Sequence, residues 1–476
     1  MAPPHLQSPA VRLPPLPGVL RRLGTDEFTP GPYSERERRA VEVVATAGPG
    51  DADRLGARLD DYWASRHGTA AGLLAIQDPY DDVFYDLAPE ATVDAAAAAE
   101  AFDGNRRGGS VVVDVQTHFI AGRPETSAVN DMIRDVYAGL APSWWRAIDD
   151  VTAYDLAEYL RCVFVESETA VAVLTSGPGV GPERMLHDRE MAGVRELVDR
   201  LGGRGRLLNH RVVHADVPGE IDTMERDLER YDPVGWKCYT LGVHRPGSPR
   251  GWWLDDEATG VPFIERAVEL GVPLICAHKG ISAMVDSGSP RDVGPAAAGF
   301  PDVDFVIYHS GWEYPAGPEP EEGPYTPETA DVGVNRLITS LREAGLGTGS
   351  NVYAELGSTW FGLIRRPDEA AHVLGKLLVH LGEDNVIWGT DAIWYGPSQL
   401  AVDAFRAFEI PPSYQERFGY PALTPARKDK ILGATAARVY DIDLDAAAAR
   451  ADADDLAWVS GAVEEFRARG VPTAGA

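Results

Sequence analysis

Cysteine and basic side chains are both scarce in this chain of 476 residues. The three cysteines, Cys162, Cys238 and Cys276, are too few and too scattered for a disulfide framework or a cysteine-rich zinc site. We therefore expect them to be small buried apolar residues in a reducing compartment. Lysine and arginine number 44 against 73 aspartates and glutamates, a net charge of −29. A surface this acidic repels phosphate, which argues against nucleic acid and anionic membranes as partners.

Long apolar runs are also missing. No stretch approaches the ~20 consecutive apolar residues that a membrane-spanning helix needs. The N-terminal sequence MAPPHLQSPAVRLPPLPGVLRRLG has no continuous apolar core after its basic residues, which argues against a signal peptide. Residues 1–33 are rich in proline and are predicted to form a disordered tail. These observations together predict a cytoplasmic protein.

Helical spacing of apolar residues follows this tail. It is present at 34–47 and at 51–66, where Leu55, Leu59 and Trp63 are predicted to share one helix face. The run DAAAAAEAF near residue 97 is helical by intrinsic propensity. We expect residues 34–107 to form a helical N-terminal extension that packs on the outside of the domain that follows.

Short apolar or β-branched runs alternate with amphipathic helices over residues 108–445. The predicted strands are 111–118, 170–175, 206–213, 235–240, 273–278, 304–309, 351–356 and 385–390. Helices are predicted between most of them, around 188–201, 218–230, 261–270 and 368–381. Eight such units predict an α/β fold, a (β/α)8 TIM barrel. A doubly wound open sheet is the competing architecture, but no Gly-rich phosphate fingerprint follows the first strand. Residues 425–440 are predicted to form a closing helix, and 446–476 a helical C-terminal tail.

Polar residues that can bind metal are concentrated at the ends of the predicted strands. Asp114, Gln116 and His118 alternate along one face of the first strand, because strand side chains have a period of two. Later strand ends carry His278, His309 and Asp391. In a parallel barrel all carboxyl ends of the strands meet at one face, so these side chains are expected to converge there. Imidazoles with a carboxylate and open positions are what a catalytic divalent metal requires.

Several stretches carry a resemblance to a known family. They are DVQTHF (114–119), GWKCYT (235–240), PLICAHKG (273–280), DFVIYHSG (304–311), VIWGTD (386–391) and KILGATAARVYDID (430–443). In this order and spacing they resemble the amidohydrolase superfamily. The resemblance is closest to the amidohydrolase-related branch that contains aminocarboxymuconate-semialdehyde decarboxylase, γ-resorcylate decarboxylase and related hydrolases.

The resemblance implies one divalent metal ion, with zinc expected and manganese or iron as alternatives. By residue-wise carry-over, His118, His278 and Asp391 would be metal ligands and His309 a catalytic imidazole or a further ligand. The family pattern has histidine where this chain has Gln116. Because an amide oxygen is a neutral and weaker ligand, we expect weaker metal binding or a harder ion than zinc at this position. A metal-free relative is the alternative.

Other residues have two interpretations each. Lys237 matches a lysine common on the family's fourth strand, and it either contacts a substrate anion or belongs to a buried structural pair. Glu355 either orients a ligand or anchors the barrel. Arg291 either binds a substrate carboxylate or forms a surface ion pair. The tryptophans after strands six, seven and eight either wall a flat substrate or pack loops together; they are Trp312, Trp360 and Trp394. On or just beyond the third strand, His210 and His214 are alternative substrate contacts.

The resemblance and the polar strand ends together predict a metal-dependent hydrolase acting on a small organic substrate that bears a carboxylate or a conjugated system. In this hypothesis Asp391 accepts a proton from a metal-activated water, and His309 polarises the carbonyl under attack. A metal-dependent non-oxidative decarboxylase is the first alternative, and a non-catalytic or metal-free binding protein is the second. The expected partner is a small molecule, and the resemblance implies a homodimer as the assembly.

Overall fold

A computed structural model describes most of the chain. The described residues are 16–21, 33–103, 110–121, 154–181, 184–202, 204–242, 251–280, 285–313, 321–453, 455–456 and 459. Most of the predicted disordered tail and the end of the predicted C-terminal tail lie outside these residues.

The core of the fold is a parallel sheet of eight strands in sequential order. The strands are β1 (Val112–Thr117), β2 (Thr169–Leu174), β3 (Leu207–Val213), β4 (Gly235–Tyr239), β5 (Leu274–His278), β6 (Asp304–Tyr308), β7 (Val352–Glu355) and β8 (Val386–Ile387). Nearly every strand residue is buried, as expected of strands covered on both faces. All eight predicted strands are confirmed, and so is the (β/α)8 TIM barrel.

Helices alternate with the strands and also precede and follow them. Before the barrel the described residues form α1 (Glu35–Leu55), α2 (Leu59–Trp63), α3 (Arg66–Gln77) and α4 (Ala95–Asp103). Between β1 and β8 they form α5 (Leu156–Leu160), α6 (Asp188–Gly202), α7 (Met224–Tyr231), α8 (Gly260–Glu269), α9 (Val293–Gly299), α10 (Asn335–Glu343), α11 (Thr359–Leu363) and α12 (Pro367–His380). After β8 come α13 (Gln399–Ala407), α14 (Pro412–Phe418), α15 (Pro425–Asp429), α16 (Thr435–Tyr440) and α17 (Leu444–Ala453). In the described part of the chain, no helix is both long and apolar enough to cross a membrane.

The barrel closes where its first strand meets its last. The amide of Val115 donates to the carbonyl of Trp388 (3.2 Å), and Thr117 forms a parallel bridge with Ala392. The amide of Asp391 donates to the carbonyl of Gln116 (2.9 Å). These contacts place the carboxyl end of β1 beside the segment that follows β8.

The N-terminal extension is helical as predicted, but its first helix is longer than the sequence indicated. Helix α1 continues through Pro49 to Leu55, and Gly56, which has a φ of 64°, caps its end. Gly48 permits close packing, because a Cβ there would lie 2.1 Å from the Trp63 ring. Leu55 is 37% exposed whereas Trp63 is buried, so the predicted shared face of Leu55, Leu59 and Trp63 is wrong. The left-handed glycine ends the helix between these residues and breaks the spacing.

Residues 16–21 fall inside the predicted disordered tail, and this part of the prediction is wrong. They contain a short 3-10 helix, Gly18–Leu20, and Leu16, Val19 and Leu20 are buried. The Arg365 guanidinium donates to the carbonyl of Arg21 (3.1 Å). Burial of three apolar side chains offsets the entropy cost of ordering this segment.

Candidate active site

His118 lies at the carboxyl end of β1 with its two ring nitrogens in different surroundings. Nδ1 lies 3.0 Å from the carbonyl oxygen of Thr175, which can only accept a hydrogen bond, so Nδ1 carries the proton. The other ring nitrogen, Nε2, faces Asp391 Oδ1 at 3.1 Å, a contact that needs a proton or a cation between the two atoms. Both side chains are 4% exposed. A backbone carbonyl that fixes the imidazole tautomer in this way is typical of metal-ligating histidines.

Gln116 joins this pair through its amide. Its Nε2 atom donates to Asp391 Oδ1 (2.9 Å) and lies 3.4 Å from His118 Nε2. Its buried Oε1 atom has no hydrogen-bond partner among the described residues. Gly357 leaves room for the Gln116 amide, because a Cβ at position 357 would lie 2.4 Å from Gln116 Oε1. A buried acceptor without a partner is costly, and it marks a position where a donor or a cation would be stabilised.

The donor atoms at this point are compatible with a divalent metal once the amide is included. Within the described ranges, no three His, Cys, Asp or Glu side chains form a group that could hold one. His118 Nε2, Asp391 Oδ1 and the Gln116 amide nevertheless lie 2.9–3.4 Å apart. Ligands bound about 2.0–2.2 Å from one cation have roughly these mutual separations. Rotation of the amide about its terminal bond exchanges its nitrogen and oxygen, so the unpartnered Oε1 can take the ligand position.

Asp391 is held through both of its carboxylate oxygens. Oδ1 faces His118 and Gln116, whereas Oδ2 accepts a hydrogen bond from the Ser358 hydroxyl. The Ser358 oxygen in turn lies 2.6 Å from the Tyr395 hydroxyl. The carboxylate is thereby left with one oxygen directed at the imidazole of His118.

His309 lies at the end of β6 and is anchored by its backbone and its ring. Its Nδ1 atom donates to the carbonyl of Gly357 (2.9 Å), and its amide donates to Glu355 (3.0 Å). Glu355 also accepts from the amide of Gly357 (2.5 Å). Burial raises the pKa of Glu355 to about 7 in spite of these donors. Both carboxylate oxygens of Glu355 thus accept from backbone amides, and one of these amides is that of His309.

His278 and Lys237 lie on the neighbouring strands of the mouth. The His278 ring lies 4.9 Å from the His309 ring and stacks on Tyr239 at 5.2 Å. Lys237 is fully buried, and its ammonium group lies 3.2 Å above the ring of Tyr308 and 4.6 Å from that of Tyr239. The structure thus brings His278 next to His309, and among the described side chains it does not join His118 and Asp391 in one group of ligands.

Asp114 begins the polar face of β1 and holds the barrel seam together. One carboxylate oxygen accepts from the Thr390 amide (3.0 Å), and the other accepts from the Thr390 hydroxyl. Burial raises the pKa of this carboxyl group to about 7. Asp114 therefore ties β1 to the segment that leads into Asp391.

A profile of the amidohydrolase family matches residues 113–442, most of the chain. The chain belongs to the amidohydrolase family. A comparison with curated proteins gives no match. The matched region contains all eight strands except the first residue of β1.

Solved structures give weaker likenesses. A TIM-barrel protein from Bordetella bronchiseptica is 13% identical over 71% of this chain and 100% of its own, with a TM-score of 0.44. A 2,6-dihydroxybenzoate decarboxylase from Rhizobium is 14% identical over 70% and 98%, with a TM-score of 0.41. An amidohydrolase from Mycobacterium avium subsp. paratuberculosis is 15% identical over 69% and 99%, with a TM-score of 0.36. Likenesses of this size carry no argument about the reaction.

The two alternative substrate contacts of this amidohydrolase barrel are His210 on β3 and His214 just after it. His210 Nε2 lies 3.1 Å from the Tyr440 hydroxyl, and its Nδ1 lies 3.3 Å from that of Tyr308. Burial lowers the pKa of His210 to about 3, so the ring is neutral. Burial also lowers the pKa of His214 to about 4; the charge of Arg184 lowers this pKa further, whereas that of Glu220 raises it. The contacts of His210 favour a structural role.

Of the tryptophans and Arg291, Trp394 lies beside the site, whereas Arg291 lines a different cavity. Trp394 stacks near His118, with ring centroids 6.4 Å apart, and can form a wall of the site. Trp360 donates to the carbonyl of Ala401 (2.9 Å) and packs on Phe405, which favours loop packing. Trp312 is buried, 4% exposed, beyond His309. The Arg291 guanidinium lies 3.9 Å above Trp253 beside a separate cavity of 520 Å³.

Residues of the site that were not predicted from the sequence include Thr175, Ser358 and Tyr395. Thr175 acts through its backbone carbonyl, which leaves no trace in the identity of its side chain. Ser358 and Tyr395 follow β7 and β8, and polar residues just beyond those strand ends were the signal that could have found them. The three cysteines are buried and form no disulfide, as predicted.

Proposed function

We propose that the chain is a metal-dependent hydrolase of a small organic substrate that bears a carboxylate or a conjugated system. The observation that carries the proposal is the meeting of His118 Nε2, Asp391 Oδ1 and the Gln116 amide within 2.9–3.4 Å at the mouth of the barrel. These three groups would hold one divalent metal, with zinc expected and manganese or iron as alternatives, and His278 is a proposed further ligand. Such an ion lowers the pKa of a bound water toward ~7.

The protein's own groups would move the protons. Asp391 presents Oδ1 to the site while Ser358 holds Oδ2, so Oδ1 is the oxygen that accepts a proton from the attacking water. His309 has its Nδ1 proton committed to the carbonyl of Gly357, which leaves Nε2 as the nitrogen that exchanges protons. A protonated Nε2 donates a hydrogen bond to the substrate carbonyl and stabilises the negative charge that develops there.

The substrate class follows from the surroundings of these groups. The overall charge of −29 repels anions, so an anionic substrate needs a local positive charge. The buried ammonium group of Lys237 supplies one beneath the mouth. The rings of Trp394 and Tyr239 lie beside His118 and His278 and offer flat apolar walls.

Metal content and kinetics measured on the same protein samples test the proposal. Elemental analysis of protein purified without chelator is expected to give about one equivalent of metal, and a screen of esters, amides and lactones should find turnover. Asp391→Asn keeps an oxygen donor but removes the base, so it should abolish turnover and retain much of the metal. His309→Ala should lower kcat more than substrate affinity. Asp384→Asn, an exposed aspartate paired with Lys430, is the matched control.

Three results would contradict the proposal. Less than a tenth of an equivalent of metal after reconstitution would remove its basis. Release of CO₂ without a hydrolysis product would favour the decarboxylase. Tight binding of small carboxylates without turnover of any compound would favour a binding protein.

A further inference from the structure

The chain makes an unusually tight turn directly after β7. The amide of Thr359 donates to the carbonyl of Gly357 (2.5 Å), which closes a three-residue γ-turn with Ser358 at its centre. Ser358 has φ 55° and ψ −45°, the strained form of this turn, in which a side chain is disfavoured. A strained residue persists only where its surroundings determine its conformation, and such residues cluster at functional sites.

Each residue of this turn contacts one of the two proposed catalytic residues. The carbonyl of Gly357 accepts from His309 Nδ1, and the Thr359 hydroxyl donates to the carbonyl of His309 (2.8 Å). The Ser358 hydroxyl donates to Asp391 Oδ2. One turn therefore spans His309 at the end of β6 and Asp391 beyond β8.

The hydrogen bonds around Ser358 have a fixed direction. A carboxylate can only accept, so the single Ser358 proton points at Asp391. The Ser358 oxygen must then accept from the Tyr395 hydroxyl, 2.6 Å away. The Tyr395 ring stacks on Phe361 with centroids 3.9 Å apart and an interplanar angle of 15°, which fixes the position of its hydroxyl. Two hydroxyl groups in series thus end on one oxygen of Asp391.

We propose that Ser358 is a positioning residue that holds Asp391 by Oδ2, so that Oδ1 alone faces His118, and that Tyr395 supports it from behind. The role in catalysis rests on the proposed hydrolase function. Without the serine hydroxyl, the Asp391 carboxylate can rotate about its terminal bond and loses its fixed approach to the attacking water. Misplacement of a reacting group by about 1 Å is enough to lower turnover about a hundredfold.

The substitution Ser358→Gly separates positioning from structural support. Glycine adopts positive φ without strain, so the backbone of the turn should persist. Loss of a hydrogen bond to a carboxylate should lower kcat about tenfold or more, with KM changed less than about twofold. Tyr395→Phe keeps the stack on Phe361 and should lower kcat less. Ser413→Ala removes an exposed serine-to-aspartate hydrogen bond on α14 and should leave kcat unchanged.

Crystal structures of the wild type and Ser358→Gly provide the second measurement. The proposal expects an unchanged backbone at 357–359 and a displaced Asp391 carboxylate in the variant. An Asp391 carboxylate that stays in place would overturn the positioning role, whether or not hydrolysis is found. A displaced carboxylate with unchanged kcat would show that positioning of Asp391 by Ser358 is not important for catalysis. A displaced carboxylate in a protein that hydrolyses nothing would leave the positioning role intact and overturn the hydrolase function instead.

Discussion

His118 combines a fixed tautomer with a carboxylate at 3.1 Å, which makes it the residue on which metal binding should depend most. The substitution His118→Ala removes the imidazole that lies beside Asp391 and the Gln116 amide. We expect loss of the metal itself and of turnover, measured by elemental analysis and kinetics on the same sample. The control is His380→Ala at the end of α12, which should keep both. A full equivalent of metal in His118→Ala would show that β1 does not contribute to the site.

Gln116 stands where the resemblance of the sequence to the amidohydrolase superfamily implies a histidine. If its amide oxygen limits metal affinity, the substitution Gln116→His restores an imidazole donor and should tighten metal binding. Chelator competition titrations on both proteins measure the difference, and we expect at least a tenfold lower Kd, about 1.4 kcal/mol. Equal or weaker binding in the variant would place Gln116 outside the metal shell.

At the scale of single elements, Glu355 at the end of β7 is expected to make the stability of the protein depend on pH. Burial raises the pKa of Glu355 to about 7, from an ordinary value of 4.5. Between these values the folded protein binds a proton that the unfolded chain does not, so the free energy of unfolding falls as pH rises through that range. The substitution Glu355→Gln removes this titration.

Chemical denaturation at pH 5, 6, 7 and 8 measures the effect of Glu355. The stability advantage of the wild type over Glu355→Gln should shrink as pH rises. Asp114, whose pKa is also raised to about 7, is retained in both proteins and contributes equally to each curve. A stability gap that is constant across this pH range would mean that Glu355 ionises normally.

The strands could be predicted because strands buried on both faces appear in sequence as short apolar runs with polar ends. The positions of His118, His309 and Asp391 beyond strand ends were predicted in the same way. Helix α1 was predicted less well, because Gly48 and Pro49 indicate a break, whereas packing of Gly48 against Trp63 stabilises a continuous helix. The role of Ser358 depends on a strained turn and on a contact between two separate loops. No local pattern encodes either of these.

At the scale of the whole molecule, a buried ion pair connects the N-terminal extension to the barrel. Glu37 on α1 lies 3.1 Å from Arg365, and the two side chains are 6% and 4% exposed. The substitution Glu37→Gln leaves a buried guanidinium without its counter-charge and should cost about 3 kcal/mol of stability. Arg36, on the same helix, forms a more exposed pair with Asp368, and Arg36→Gln should cost less than about 1 kcal/mol.

Denaturant titration of the two variants and the wild type checks this difference. Similar small losses in both variants would mean that the extension is held by its apolar contacts alone. A large loss in Arg36→Gln would instead place the main electrostatic link at the surface.

The barrel seam also has a consequence for the timing of protein synthesis. Gln116 and Asp391, which meet across the seam, are 275 residues apart in the chain. At 5–20 residues per second, a ribosome needs about 15 to 55 seconds to make the stretch between them. During this time a nascent chain carries only one side of the proposed metal site. The proposed site can form only once the segment after the last barrel strand has left the ribosome and met the first strand.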